Sequence, residues 1–380
     1  MIGGGKNAFI GTIHRMALHL DGLVEMVSGA LSTHPATALA SGEEWLLPAA
    51  RTYLSYEEML EQESRLPADQ RMDFVTIVTP NFAHFAPARM ALERGFHVVL
   101  DKPITFSLEE ALQLKKLVEK TGLLLCLTHT YAGYPMVKQA RALIKEGALG
   151  TIRKVWVEYP QGWLSRPSES EGNPQAAWRT DPAKSGKAGC MGDIGTHAFH
   201  LAEYVSGLQI THLCADLNIL VPGRKLDDDG NVLLKFNNGA AGVLMASQVA
   251  AGEENALKLR IYGEKGGLEW SQMEPNTLLL KWLDAPAQIL RAGNNYGATL
   301  SNDAIFNCRT PGGHPEGYLE AFANIYRNFA LTLSARLEES TPPSPATDFP
   351  GVDDGVRGMA FIETVVRSAN SDMKWTPFGI

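Results

Sequence analysis

Met1-Ile2-Gly3-Gly4-Gly5-Lys6-Asn7-Ala8-Phe9-Ile10-Gly11 opens the chain, and the pattern of the next hundred or so residues decides how these glycines are read. A glycine cluster at a chain start means nothing alone. Here the sequence up to about residue 128 alternates between short apolar runs and helical patterns. The runs at 25–31, 74–78, 98–100 and 123–127 read as buried strands. Residues 85–94 and 108–120 carry apolar side chains at helical spacing, with Ser107 as N-cap and Gly122 at the close. Short strands separated by helices of this length predict βαβ units and a parallel sheet.

The opening glycines then fall where a strand meets a helix. Gly3 and Gly5 fit the first two positions of G-x-G-x-x-G, the dinucleotide-binding fingerprint. Gly11 comes three residues late, so Lys6, Asn7, Ala8, Phe9 and Ile10 predict an enlarged phosphate loop before the helix containing His14 and Ala17. Glycines let the backbone approach a pyrophosphate, and a helix N-terminus offers it unpaired N–H groups. Only Met1 and Ile2 precede Gly3, which reads as a natural chain that begins further upstream. The second strand ends near Ser32, where an acid would bind the adenosine ribose. Ser32 is small and neutral, which leaves NAD and NADP both open. Thr79-Pro80-Asn81, with His84 three residues on, follows a strand at the end where open α/β sheets bind ligands. Asp101-Lys102-Pro103 ends the next strand. Pro103 stops regular pairing and restricts Lys102 to extended geometry, aiming its side chain over the nicotinamide position.

Further on stands Gly192-Asp193-Ile194-Gly195-Thr196-His197. An acid and an imidazole four residues apart lie on one helix face. Gly192 and Gly195 predict tight turns and close approach to a ligand. An imidazole can gain and lose a proton near neutrality, so His197 can accept a hydroxyl proton. Asp193 can orient that imidazole or bind a hydroxyl, and Lys102 can hold the reacting oxygen. Whether Lys102 or His197 is the base stays open. Asp193, His197 and His200 have metal-like spacing, but no fourth ligand is evident, so no metal is expected.

At 380 residues the chain is too long for one ordinary core, which predicts two domains. A net charge of −8 argues against nucleic acid or an anionic membrane as partner. No apolar run reaches the roughly 18–20 residues of a membrane span. Cys126, Cys190, Cys214 and Cys308 are scattered, which predicts reduced, mostly buried thiols. With no signal-peptide pattern, the expected location is the cytoplasm.

The order of these motifs resembles the Gfo/Idh/MocA family (glucose-fructose oxidoreductase, inositol dehydrogenase and relatives), from Gly3 to about Glu363. The family usually has Glu-Lys-Pro where Asp101-Lys102-Pro103 stands here. The extended glycine loop is similar to a subgroup with Gly-Gly-Gly near the start and Gly-Gly-His-Pro-Glu-Gly late, here at 312–317. The resemblance implies an α/β protein. A Rossmann domain with a doubly wound parallel sheet spans 1–128. A second α/β domain spans 129–380, with an open, mostly antiparallel sheet whose outer face makes a homodimer or homotetramer. Strand-like runs at 152–159, 211–220, 230–236, 240–250, 256–262 and 268–270 agree independently, as does the hairpin signal Asn237-Asn238-Gly239. Helical patterns cover 137–146 and 317–337, and Pro342-Pro343-Ser344-Pro345 reads as an exposed linker before a final helix at about 354–369. Carried over residue by residue, the resemblance places Lys102, Asp193 and His197 at the substrate and Trp178-Arg179 at the family's Trp-Arg pair. Tyr131, Tyr134, Tyr159 and His314 are expected to line the same site. The implied activity is NAD(P)-dependent hydride transfer at a secondary hydroxyl of a sugar, sugar acid or cyclitol, with cyclitols leading. Two other activities fit the family: an NAD-dependent glycoside hydrolase and a non-catalytic cofactor-binding regulator. The intact Lys102, Asp193 and His197 argue against the regulator.

Overall fold

A computed structural model describes residues 1–6 and 8–380, so the phosphate-loop expectation at Asn7 lies outside the described residues. The chain forms two compact units. The first is Met1–His129 with Phe322–Val356, and the second is Thr130–Ala321 with Arg357–Ile380. A division at residue 128 therefore leaves out a return of the chain to the first unit.

The first unit is built on parallel strands β1 (Phe74–Ile77), β2 (His97–Leu100) and β3 (Leu125–Leu127), in the order β1-β2-β3. Ile2 bridges in parallel to Ile77 on one side and to Ala30 on the other, and Gly29 bridges to Thr52. Read across the sheet, the segments run third, second, first, fourth, fifth, sixth, the order of a doubly wound dinucleotide fold. The run 25–31 is not a continuous strand. Burial begins only at Ser28, and only Gly29 and Ala30 bridge. The helix Leu108–Thr121 carries a complete capping box from Ser107 and Glu110 and closes on left-handed Gly122. Aromatic side chains of the returning segment pack against this layer. Phe329 meets Phe74 at 5.1 Å and Phe322 meets His14 at 4.6 Å. The Pro-rich stretch is mostly exposed, yet it is pinned nearby: Ala346 is buried and its carbonyl accepts from Thr332 Oγ1 at 3.0 Å.

In the second unit nine strands form one sheet: β4 (Ile152–Pro160), β5 (Ile210–Asn218), β6 (Asp229–Phe236), β7 (Ala241–Ser247), β8 (Lys258–Gly263), β9 (Gly266–Ser271), β10 (Thr277–Trp282), β11 (Gln288–Arg291) and β12 (Thr376–Pro377). Their order is β11-β10-β9-β8-β4-β7-β6-β5-β12. Every ladder is antiparallel except β4 with β7. Alternation decides the faces. Val155, Val157, Leu259, Ile261, Leu278 and Leu244 are buried on one face, where the helices Pro135–Lys145 and Thr196–Ser206 pack. The other face carries a row that runs across the register: Leu233, Val243, Trp156, Arg260, Glu269, Leu279 and Ile289. Among the described residues no helix is long and apolar enough to cross a membrane.

One close approach in the first unit gives a test. Gly11 lies inside the helix Phe9–His19, and a Cβ there would sit 2.2 Å from the carbonyl oxygen of Gly4. In an ordinary helix Gly→Ala stabilises by about 1 kcal/mol. Here Gly11→Ala is expected to destabilise instead, by about 1–3 kcal/mol as overpacking does. Urea unfolding measures the sign, and a stabilised variant would refute the close approach.

Candidate functional site

The first unit presents the glycine loop beside the turn that follows β1. Gly3 and Gly4 both adopt positive φ, at 76° and 75°. A Cβ on Gly3 would lie 3.0 Å from Thr79 Cγ2, so the loop and the Thr79 turn meet at the switch point of the sheet. A Cβ on Gly5 would meet the Leu31 carbonyl oxygen at 2.7 Å. The helix begins at Phe9, earlier than the sequence predicts, so Phe9 and Ile10 belong to its first turn and the loop is shorter. Gly11 thus takes the place of the third fingerprint glycine, packed on Gly4. The helix start has no side-chain cap at Ala8 and no acid in its first turn. The helices starting after Ser55, Ser107, Asn173, Asp181 and Ser301 are all capped by those side chains. An uncapped N-terminus behind bare glycine backbone fits a pyrophosphate. Ser32 Oγ accepts from His34 N at 3.1 Å and closes the turn after Leu31.

His84 is buried and binds backbone on both sides. Its Nδ1 lies 2.7 Å from the Pro103 carbonyl oxygen and its Nε2 2.8 Å from that of Thr79. It therefore ties the turn Thr79-Pro80-Asn81 to the turn Asp101-Lys102-Pro103. Burial pushes its pKa down, while Asp101 and the two carbonyls pull the other way. Asp101 Oδ1 accepts from Lys102 N and from Thr128 Oγ1, each at 2.9 Å. His14 Nε2 stands 3.8 Å from the same oxygen, and His14 Nδ1 is 2.6 Å from the hydroxyl of Tyr326. Burial alone would raise the Asp101 pKa. Its interactions with His14, Lys102 and His84 outweigh burial and hold it below the usual carboxylate range. Lys102 thus follows a fixed negative charge and is itself half-buried.

The second unit gathers the remaining expected residues around the ends of β4 and β7. These strands run in parallel, so Tyr159 and Gln161 emerge beside Ser247 and Gln248. Met191–Gly195 forms a π-helical turn that leads into the helix Thr196–Ser206. Such turns recur at functional sites. Gly192 and Gly195 are helical here, not tight turns. A Cβ on Gly195 would meet Met191 Sδ at 2.6 Å, so Gly195 serves packing inside the π-turn. Asp227 secures the start of this segment. Its carboxylate accepts from Gly189 N at 2.7 Å and Met191 N at 2.8 Å, and burial pushes its pKa up.

Asp193 Oδ2 accepts from Gln248 Nε2 at 2.9 Å and from Arg179 Nε at 3.1 Å. Arg179 is held from several sides. Its Nη1 donates to Gln175 Oε1 at 2.6 Å, and its guanidinium lies over Trp178 at 4.2 Å. The imidazole of His197 meets the ring of Tyr131 edge-on at 4.9 Å, with Tyr159 at 6.4 Å. Tyr134 stacks beside Tyr131 at 6.3 Å, and burial pushes its pKa above 10. The Tyr131 and Tyr159 hydroxyls are hydrogen-bonded to each other. Tyr159 also donates to Asn255 Oδ1 at 2.6 Å, and Asn255 Nδ2 donates to Tyr131 at 3.2 Å. His200 is buried and stacks on Tyr204 at 5.5 Å. His314 is exposed, on a loop organised by buried Glu316, which accepts from Arg309 N at 2.6 Å and Thr310 N at 2.7 Å.

The structure thus brings together Tyr131, Tyr134, Tyr159 and His197, and likewise Trp178, Arg179 and Asp193. It also adds two polar groups that sequence reasoning missed. Gln248 sits in a stretch that reads as continuous strand, and Asn255 lies in a polar turn with no motif around it. Their roles arise only from strand pairing, which no local spacing reveals.

Two family models match the chain: an oxidoreductase family with an NAD-binding Rossmann fold over residues 1–129, and a GFO/IDH/MocA C-terminal domain over residues 137–269. The chain is 32% identical over 381 residues to the uncharacterized oxidoreductase YfiI of Bacillus subtilis, covering 100% of this chain and 96% of that one. It is 35% identical to an inositol dehydrogenase homolog from Azotobacter vinelandii, solved in complex with NAD+, with TM-score 0.93 over 100% of this chain and 96% of that one. An oxidoreductase from Sinorhizobium meliloti is 43% identical, with TM-score 0.87 over 99% of this chain and 98% of that one. With both of its domains matched, the chain belongs to the Gfo/Idh/MocA family of oxidoreductases and carries that family's NAD-binding Rossmann domain.

Proposed function

We propose that the protein oxidises a secondary hydroxyl of a neutral polyol, with a cyclitol as the leading substrate and NAD as cofactor. The observation that carries this reading is the Asp193 carboxylate. It is bound by Arg179 and Gln248 one helical turn before His197. Arg179 is thereby matched by an acid, and the surrounding groups are phenols and amides. Such a lining suits hydroxyls, whereas a phosphate or carboxylate substrate would want an uncompensated guanidinium. The A. vinelandii homolog has also been solved with NADH and myo-inositol, which supports a cyclitol here.

The residue roles follow from their chemistry. Bound NAD supplies the hydride acceptor. Gly3, Gly5, Phe9 and Ile10 would hold its pyrophosphate at the uncapped helix start. Ser32 would meet its ribose, and Thr33, His34 and Pro35 just after it include no Lys or Arg for a 2′-phosphate. Thr79, Pro80 and Asn81 would flank the cofactor, while His84 fixes the backbone of their turn. Lys102 would hold the reacting oxygen and stabilise negative charge on it. His197 would take the hydroxyl proton, with its ring held by Tyr131. Asp193, Trp178, Arg179, Tyr134 and Tyr159 would shape the substrate pocket, and His314 is read as a residue of a substrate loop.

The outer sheet face reads as a self-association surface. Trp156 is 36% exposed, Leu233 44% and Ile289 61%, all in one row across the strands. Arg260, in the middle of this row, lies over Trp156 at 5.2 Å and pairs with Glu158. A homodimer or homotetramer through this face is the proposed state. Sedimentation at micromolar concentration checks it: Trp156→Glu is expected to yield monomer from an oligomeric wild type. A monomeric wild type sinks the idea.

The activity is tested by nicotinamide reduction with NAD and NADP, against cyclitols, aldoses, ketoses and sugar acids. Turnover is expected on a cyclitol with NAD. Lys102→Ala and His197→Ala are each expected to lower kcat by about 10²–10⁴-fold, as loss of a general acid–base group does. Release of free sugar from a glycoside without net NADH would instead mark the hydrolase. Tight cofactor binding with no turnover at all would mark the regulator.

A further inference from the structure

The polar chain beside His197 has a direction, and one end of it fixes that direction. Trp163 donates its indole N–H to Gln161 Oε1 at 3.0 Å. An indole N–H can only donate, so the Gln161 atom facing it is the oxygen. The Gln161 amide nitrogen therefore faces Asn255, 2.6 Å away, and must meet the Asn255 carbonyl oxygen. That leaves the Asn255 nitrogen to donate to the Tyr131 hydroxyl at 3.2 Å. The Asn255 oxygen is acceptor-only, so at 2.6 Å the Tyr159 hydroxyl must donate to it. The Tyr159 proton is then committed. The hydrogen bond between the two phenols can be made only by the proton of Tyr131.

The three groups close a ring. Tyr131 donates to Tyr159, Tyr159 to Asn255, and Asn255 back to Tyr131. We infer that Trp163, Gln161 and Asn255 commit both phenol protons to this ring, so that the two phenols beside His197 offer a ligand acceptor sites only. Each phenol oxygen already gives one hydrogen bond and receives one, and neither phenol has a donor left over. The phenols thus act as specificity determinants. They can receive a hydrogen bond from a substrate hydroxyl and cannot give one to a ketone oxygen. They are also not the general acid, because their protons are held by each other and by an amide. Burial drives both phenol pKa values up, which keeps the protons in place. Trp163, Gln161 and Asn255 are positioning residues, since they act through the phenols.

The ring itself is tested without turnover. In protein carrying ¹³Cζ-tyrosine, a slowly exchanging hydroxyl splits the Cζ signal in mixed H₂O and D₂O. Two such tyrosines are expected in wild type; Asn255→Leu, which removes the acceptor of the Tyr159 proton, is expected to abolish the Tyr159 splitting, while Asn255→Asp, which keeps that acceptor, is expected to retain both. Cofactor affinity and Tm, measured alongside, show whether each variant is folded. Phenols that exchange in wild type as fast as exposed tyrosines would overturn the ring. So would Tyr159 splitting left intact in folded Asn255→Leu.

The specificity claim rests on the polyol reading above and is measured separately. In Asn255→Leu the Tyr159 proton loses its acceptor and becomes free to turn toward substrate. Affinity for the ketone in its non-reacting complex with NAD, relative to affinity for the alcohol in its non-reacting complex with NADH, is then expected to rise about three- to tenfold, the scale of one net hydrogen bond. Tyr159→Phe is expected to retain both limbs of the pH–kcat profile. Loss of a limb would make the phenol the acid or base and refute the inference. An intact ring with no turnover on any polyol would refute the substrate reading alone.

Discussion

Seven residue pairs, from Lys154↔Ala241 to Pro160↔Ser247, set β4 and β7 parallel in a sheet whose other ladders are antiparallel. Parallel neighbours finish on the same side. Tyr159 and Gln161 therefore leave the sheet next to Ser247 and Gln248, and Gln161 N donates to the Ser247 carbonyl at 2.7 Å. The loop after β7 then returns Asn255 to Tyr159. An antiparallel pairing would have put Gln248 at the opposite end of the sheet from Gln161, and Asp193 would have lost its amide partner. The polar cluster of the second unit depends on this one ladder more than on any single side chain.

The first unit obeys a related rule. Its named strands all pair in parallel, with one isolated antiparallel bridge at Cys126↔Gly351, so each of these strands delivers its following turn to one edge. The order reverses between Ile2 and β1, and there the glycine loop meets the Thr79 turn. That much was legible in the sequence, because glycine at a strand-to-helix junction, strand length and helix caps are local signals. Ser107, Glu110 and Gly122 bound their helix where the sequence reading places it. The start of the helix at Phe9 was less legible. The fingerprint spacing points to a long loop, but Gly11 does its work from inside the first helical turn, where only three-dimensional packing on Gly4 reveals it.

The second unit was legible in its strands and less so in its site. Alternation marks β4 to β9 because one face is buried. β10 and β11 were not expected, since Leu278, Leu279 and Leu280 show no alternation and β11 is half polar. The motif around Asp193 was visible, but its glycines suggested turns. A π-turn needs one extra residue per turn and leaves no compositional mark, and the Asp227 carboxylate that anchors it comes from a distant run of three acids. Gln248 and Asn255 have no sequence signal because amides are common and their meaning here is purely positional.

The charges of both units follow one pattern. Asp101 is surrounded by the Lys102 and Thr128 donors and by His14, and Asp193 by Arg179 and Gln248. Neither acid is left to attract a cation, and Arg179 is not left to attract an anion. Burying an unmatched charge would cost several kcal/mol, so each is matched by its own fold before any ligand arrives. Discrimination among ligands then falls to groups that can be satisfied by a neutral partner. In the second unit those are the phenols and amides beside His197, whose hydrogen-bond directions are set by the fold itself. On the proposed function, a pocket organised in this way would read the pattern of hydroxyl donors on its ligand more sharply than ligand charge.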